Sequence, residues 1–164
     1  MIINGNSIYG LVLSGAKNII VNEVGLNRIN VFPVPDGDTG TNLSLTMNQV
    51  ISETVKQDEL SKQIKNIAEI ALNNAYGNSG MIFAEYLSGL SESLVNKKEI
   101  LKNDLIDAFK NAYSKAHKSV AQPKEGTVLS VMKVWAELLE NSIHEEIEHM
   151  FFNNLEKLYK SVEN

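Results

Sequence analysis

The stretch Leu60-Ser61-Lys62-Gln63-Ile64-Lys65-Asn66-Ile67-Ala68-Glu69-Ile70-Ala71 carries apolar side chains at Leu60, Ile64, Ile67 and Ala71. Spacings of four, three and four residues line one face of an α-helix and no face of a strand. The same period extends outward in both directions. Before it come Leu43, Met47, Val50 and Val55 with Ile51 beside them, and earlier still Ile8, Leu11, Val12, Gly15 and Ile19, a run expected to end near Gly25. After it come Ile82, Phe83, Tyr86, Leu87, Leu90 and Leu94, then Leu105, Phe109, Ala112 and Ala116. Val128, Val131, Met132, Trp135 and Leu138 follow, and a last stripe of Ile147, Phe151, Leu155 and Leu158. Polar or glycine-containing breaks at 56–59, 77–80, 96–99 and 122–126 divide these runs. Period-two alternation is hard to find, so the chain reads as all-α, with about seven or eight helices. Short connections favour antiparallel neighbours in an up-and-down arrangement, although periodicity alone leaves barrel, bundle and solenoid open. No repeat of roughly 20 to 50 residues supports a solenoid.

At 164 residues, the chain has the size of one domain and is long enough to bury a substantial core, so residues 1–164 are taken as one unit. Its 43% hydrophobic and 21% charged residues are those of a folded chain. A formal charge of −5 without a clustered Lys/Arg run argues against nucleic acid and anionic membranes and for a small ligand or protein partner. With no cysteine, disulfides and thiolate metal sites are excluded. The N-terminal residues lack the pattern of a signal peptide and no window resembles a membrane span, so a cytoplasmic location is expected.

The residues with chemistry to offer lie in Pro35-Asp36-Gly37-Asp38-Thr39-Gly40-Thr41-Asn42. Asp36 and Asp38, one glycine apart in a loop stiffened by Pro33 and Pro35, bring two carboxylates to one point. Mg²⁺ takes one or two protein carboxylates, keeps several waters and completes its shell with substrate phosphates, which suits this loop; the Thr41 hydroxyl could add a ligand. The loop runs straight into a helix, whose first-turn N–H groups and dipole favour a phosphate. Read alone, it is also a capped surface turn. Gly77-Asn78-Ser79-Gly80 presents small residues and side-chain hydrogen-bonding groups at a second helix start, and Pro123-Lys124-Glu125-Gly126-Thr127 does so at a third. Each alone reads as an interhelix turn; three phosphate-suited helix starts in one all-α chain are harder to dismiss.

Other chemistries fit poorly. The loop lacks the third acidic position and the twelfth-place Glu of an EF-hand, and neither a P-loop sequence nor protein-kinase signatures occur. His117, His144 and His149 are scattered, and the last two, five positions apart, do not stack on one helical face. Trp135 and the pair Phe151-Phe152 are expected in the core.

The sequence resembles the nucleotide-binding domain of bacterial fatty acid kinases, related to the DhaL-type ATP-binding domain of dihydroxyacetone kinases. The resemblance is carried by Asn30-Val31-Phe32-Pro33-Val34-Pro35-Asp36-Gly37-Asp38-Thr39-Gly40-Thr41-Asn42, followed in order by Gly77-Asn78-Ser79-Gly80 and Glu125-Gly126-Thr127, with Leu13-Ser14-Gly15-Ala16 near the start. It implies an eight-helix antiparallel up-and-down α-barrel holding ATP or ADP and two Mg²⁺ ions at one end. By the same resemblance Asp36, Asp38 and Thr41 would bind metal. Thr39, Gly40, Thr41, Asn42, Gly77, Asn78, Ser79 and Gly80 would surround the phosphates, and Gly126 and Thr127 would line the nucleotide. It assigns no general base.

Fatty acid kinases phosphorylate a carboxylate presented by a separate lipid-binding carrier. Two alternatives stand beside that activity: the ATP-binding subunit of a dihydroxyacetone-type kinase, and a non-catalytic nucleotide-binding scaffold. The chain departs from the family pattern at Tyr76 and Gln122, where basic residues are common, and lacks a later glycine-rich segment. The resemblance therefore implies the N-terminal part of a longer protein. Its further domains would meet the carrier and could form a dimer, and the isolated piece could bind nucleotide yet phosphorylate nothing.

Overall fold

The computed structural model describes residues 3–31, 34–97 and 100–162, and among them eight α-helices and no strand. They are α1 (Gly5–Val21), α2 (Glu23–Ile29), α3 (Thr39–Glu53), α4 (Leu60–Asn73), α5 (Gly77–Leu94), α6 (Lys102–Lys118), α7 (Val128–Asn141) and α8 (Ile147–Val162). The all-α expectation holds. Pro33 of the stiffened loop, and Lys98 and Glu99 of the break at 96–99, lie outside the described residues.

From α2 onward each helix packs on the next, and the short connections make these neighbours antiparallel. α1 lies across α3 and α4, and α5 lies against α3, α4 and α6. The stripe on α4 is buried throughout: Leu60, Ile64, Ile67 and Ala71 all face inward. Ile67 and Ala71 join Ala16, Met47, Val50, Ala84 and Leu87 in a core shared by α1, α3, α4 and α5. A second core, Ala112, Ala116, Leu129, Met132 and Tyr86, joins α5, α6 and α7. Burial raises the pKa of the Tyr86 hydroxyl well above its ordinary value, so it stays neutral. Gly89 lets α5 and α6 touch, since a Cβ there would lie 2.6 Å from the Cα of Ala112.

Several expectations from periodicity are corrected. The first helical run does not end near Gly25. It breaks at Asn22, whose ψ of 12° departs from helical geometry, and resumes as α2 through Gly25 to Ile29. Leu11 is 65% exposed although Ile8, Val12 and Ile19 face the core, and Val55 is exposed beyond the end of α3. On α8 the buried positions are Met150 and Asn154, not Leu155, which is 61% exposed. The reason is polar. Asn154 donates to the Leu138 carbonyl at 3.1 Å and accepts from the Ser142 hydroxyl at 3.1 Å, fastening α8 to α7. Trp135 and Phe151 do pack, 5.7 Å apart, with Phe109 between α6 and α7, whereas Phe152 points outward.

Candidate functional site

The starts of α3, α5 and α7 meet at one cleft of about 1030 Å³, walled also by Leu26 and Ile29 of α2 and touched by Ser161 near the end of α8. Asp36, Asp38, Thr39, Asn42, Asn78, Ser79, Gly126 and Thr127 line it, which brings most of the expected residues together. Thr41, Gly40, Gly77 and Gly80 are not in its lining.

Those four residues assemble the walls. A Cβ on Gly40 would lie 2.1 Å from the Glu23 carbonyl oxygen, so only glycine allows α2 and α3 to cross there. Thr41 faces α2: its hydroxyl donates to Glu23 Oε1 at 2.9 Å and accepts from Asn27 Nδ2 at 3.0 Å. Gly77 has φ +62°, and a Cβ there would meet the Asn42 amide at 2.4 Å. A Cβ on Gly80 would meet Thr46 Oγ1 at 2.3 Å. The glycines thus admit protein, letting α5 begin directly on α3. Sequence reasoning passed over the residue at this junction, Thr46, which is fully buried. Its hydroxyl donates to the Asn42 carbonyl at 2.9 Å and accepts from the Tyr76 N–H at 3.0 Å. The two loops also touch directly, with Thr39 Oγ1 and Ser79 Oγ 3.2 Å apart.

The helix starts differ in what their backbone offers. At α3, Asn30 Oδ1 accepts the N–H groups of Asp38 and Thr39, both at 3.1 Å, and Asn27 Oδ1 accepts that of Thr41 at 3.1 Å. Asp38 stands at the N-cap position, yet its carboxylate caps nothing. At α5 no side chain caps the first turn. At α7 the cap is local: Thr127 Oγ1 accepts from Leu129 N at 3.3 Å, and the Gly126 N–H donates to Ser130 Oγ at 2.9 Å. The Ser130 hydroxyl and Lys133 beside it hold the Glu125 carboxyl below its ordinary pKa, so it stays ionised there.

Asp36 and Asp38 are both exposed to the cleft, and among the described residues neither forms a hydrogen bond or ion pair through its carboxylate. No three His, Cys, Asp or Glu side chains come together among the described residues to build a closed metal cage. Two unpaired carboxylates with room beside them fit Mg²⁺ carrying waters and phosphate oxygens, and do not fit a cation that needs an all-protein shell. Among the described residues Lys124 is the single cation that lines the cleft, and no histidine among them lines it.

The family described as DAK2 domain matches residues 33–164, which includes all three helix starts and most of the cleft. The chain belongs to the DAK2 domain family. DAK2 domains are the nucleotide-binding domains of the dihydroxyacetone kinase family and bind ADP or ATP. Among curated relatives, Protein YloV of Bacillus subtilis (strain 168) is 36% identical over 133 residues, covering 80% of this chain and 24% of the relative. Uncharacterized proteins of Staphylococcus aureus strains USA300 and NCTC 8325 are 37% identical over 135 residues with the same coverage. The chain therefore spans about a quarter of the length of these relatives. No helix among the described residues is long and apolar enough to cross a membrane.

Proposed function

We propose that this DAK2 domain binds Mg-ATP and serves a kinase that phosphorylates a fatty acid carboxylate presented by a separate lipid-binding protein, giving an acyl phosphate. The observation that carries the nucleotide reading is the pairing, in one cleft, of two unpartnered carboxylates at the start of α3 with an uncapped first turn at the start of α5. Asp36 and Asp38 would hold Mg²⁺, and a bound Mg²⁺ would neutralise phosphate charge. The first-turn N–H groups of α5 and the Ser79 hydroxyl would donate to phosphate oxygens, aided by the helix dipole. Lys124, in the cleft lining just before α7, would supply countercharge. Catalysis would then rest on positioning and charge neutralisation, as phosphoryl transfer allows.

The choice of acceptor rests on the described residues that line the cleft, among which there is no histidine. Transfer to a carboxylate forms an oxygen–phosphorus bond as the γ-phosphoryl leaves ADP, and no proton has to be removed from the acceptor. A hydroxyl acceptor would need a general base, which the lining residues supply only as Asp36 and Asp38, the proposed metal ligands. The test is to supply the full-length protein with ATP, Mg²⁺, a fatty acid and a lipid-binding carrier and assay acyl phosphate. Its formation, dependent on the carrier, is the expected result. Nucleotide binding without product in the presence of a competent carrier would favour a scaffold, and phosphorylation of dihydroxyacetone would favour the other kinase.

A further inference from the structure

A helix start leaves its first N–H groups without partners inside the helix, and an Asp at the N-cap position ordinarily fills one of them with its own carboxylate. Asp38 occupies that position on α3 and does not do so. The donor that an N-cap Asp would take at the third helical position, Thr41 N, goes to Asn27 Oδ1 at 3.1 Å, and from eight residues upstream Asn30 Oδ1 accepts from Asp38 N and Thr39 N, both at 3.1 Å. Its Nδ2 donates to the Val34 carbonyl at 3.2 Å, so one side chain ties the loop's beginning, its middle and the helix start together.

From this geometry we infer that Asn30 is a positioning residue for the metal site: it pins the N–H groups of Asp38 and Thr39 and so fixes the backbone that carries Asp38, while Asn27 takes the Thr41 donor that Asp38 would otherwise cap, which leaves the Asp38 carboxylate to the cleft. This inference rests on the Mg-nucleotide reading above. A carboxylate drawn back onto its own helix would have its lone pairs committed to backbone N–H groups and would be a poorer metal ligand. Asn is suited to the task because its amide is both acceptor and donor, whereas Asp offers acceptors alone. The same capping consumes three of the N–H groups at the start of α3, so a phosphate meets that helix through metal and meets backbone donors at α5.

The test uses the full chain, with Asn30→Ala and Asn30→Asp. Amide hydrogen exchange in the nucleotide-free protein reads the cap directly. Calorimetric titration with ADP, with and without Mg²⁺, reads its consequence. In Asn30→Ala, exchange at Asp38 and Thr39 should accelerate by about tenfold or more, the free-energy equivalent of one hydrogen bond. Affinity for Mg-ADP should fall by about tenfold, the low end of the effect of removing a group that orients a metal ligand. Binding of ADP without Mg²⁺ should stay within about twofold of wild type on the same argument. Asn30→Asp keeps the acceptor toward both N–H groups and should restore slow exchange and most of the Mg-ADP affinity.

Unchanged exchange at Asp38 and Thr39 in Asn30→Ala would overturn the capping role. An equal loss of affinity with and without Mg²⁺ would reduce Asn30 to a structural residue and overturn the link to metal. A wild-type chain with slow exchange at these amides but no Mg-dependent ADP binding would instead sink the functional reading, and with it any service of the cap to a metal.

Discussion

The starts of α3 and α5 face the same cleft and are joined by the contact between Thr39 and Ser79, yet they are built in opposite ways. At α3 the N–H groups of Asp38, Thr39 and Thr41 are taken by Asn30 and Asn27, while the two carboxylates are left without partners. At α5 no side chain caps the first turn, and no carboxylate stands within it. A helix start can attract a phosphate through N–H groups or a cation through acidic side chains, and a single start does both poorly because the acid caps the N–H groups. Dividing the roles between two starts held together by Gly77, Gly80 and Thr46 resolves that conflict.

This contrast can be broken by substitution. The largest effect is expected from Asp38→Ala, which removes half of the carboxylate pair: Mg-dependent ADP binding by calorimetry should weaken by more than about 100-fold, beyond the range seen for groups that only orient a metal ligand. Next comes the junction. Gly80→Ala would drive a Cβ onto Thr46 and should cost about 1–3 kcal/mol, the usual cost of overpacking, seen as a lowered thermal midpoint by circular dichroism. Nucleotide affinity should fall with it, because the two starts would no longer meet. Lys124→Gln should weaken binding of a non-hydrolysable ATP analogue by roughly two- to fivefold, the scale of one partly screened charge contact, and should flatten the dependence of binding on salt. The smallest effect is expected at α7: Thr127→Ala should cost about 0.5–2 kcal/mol of stability through loss of the N-cap, read as a lowered thermal midpoint by circular dichroism.

Much of this was legible before the structure, and the parts that were not have physical reasons. The α4 stripe could be read directly because apolar burial and helical period coincide at Leu60, Ile64, Ile67 and Ala71. The α8 phase could not, because its inward position is held by the hydrogen bonds of Asn154 and hydropathy counts that residue as surface. In the site, Asp36, Asp38, Asn78 and Ser79 were marked by residue type, and the structure brings them to one cleft. Gly77 and Gly80 were noticed for the space they leave, but that space is filled by Asn42 and Thr46, a contact between helices 30 or more residues apart in sequence. Asn27 and Asn30 were missed as capping residues because a cap supplied by the preceding helix and loop has no signature at the helix it serves. An Asn three residues before a loop that already ends in Asp at the N-cap position, with Asp38 needed elsewhere, is the signal that could have pointed to them.

The division of roles is tested most directly by residue-resolved amide hydrogen exchange of the wild-type chain with and without saturating Mg-ADP. The account predicts new protection at Asn78 and Ser79, whose N–H groups gain phosphate partners, and little change at Thr39 and Thr41, which already have theirs. Protection gained at Thr39 and Thr41 with none at Asn78 and Ser79 would contradict it, since the phosphates would then sit on the helix that Asn27 and Asn30 are held to close.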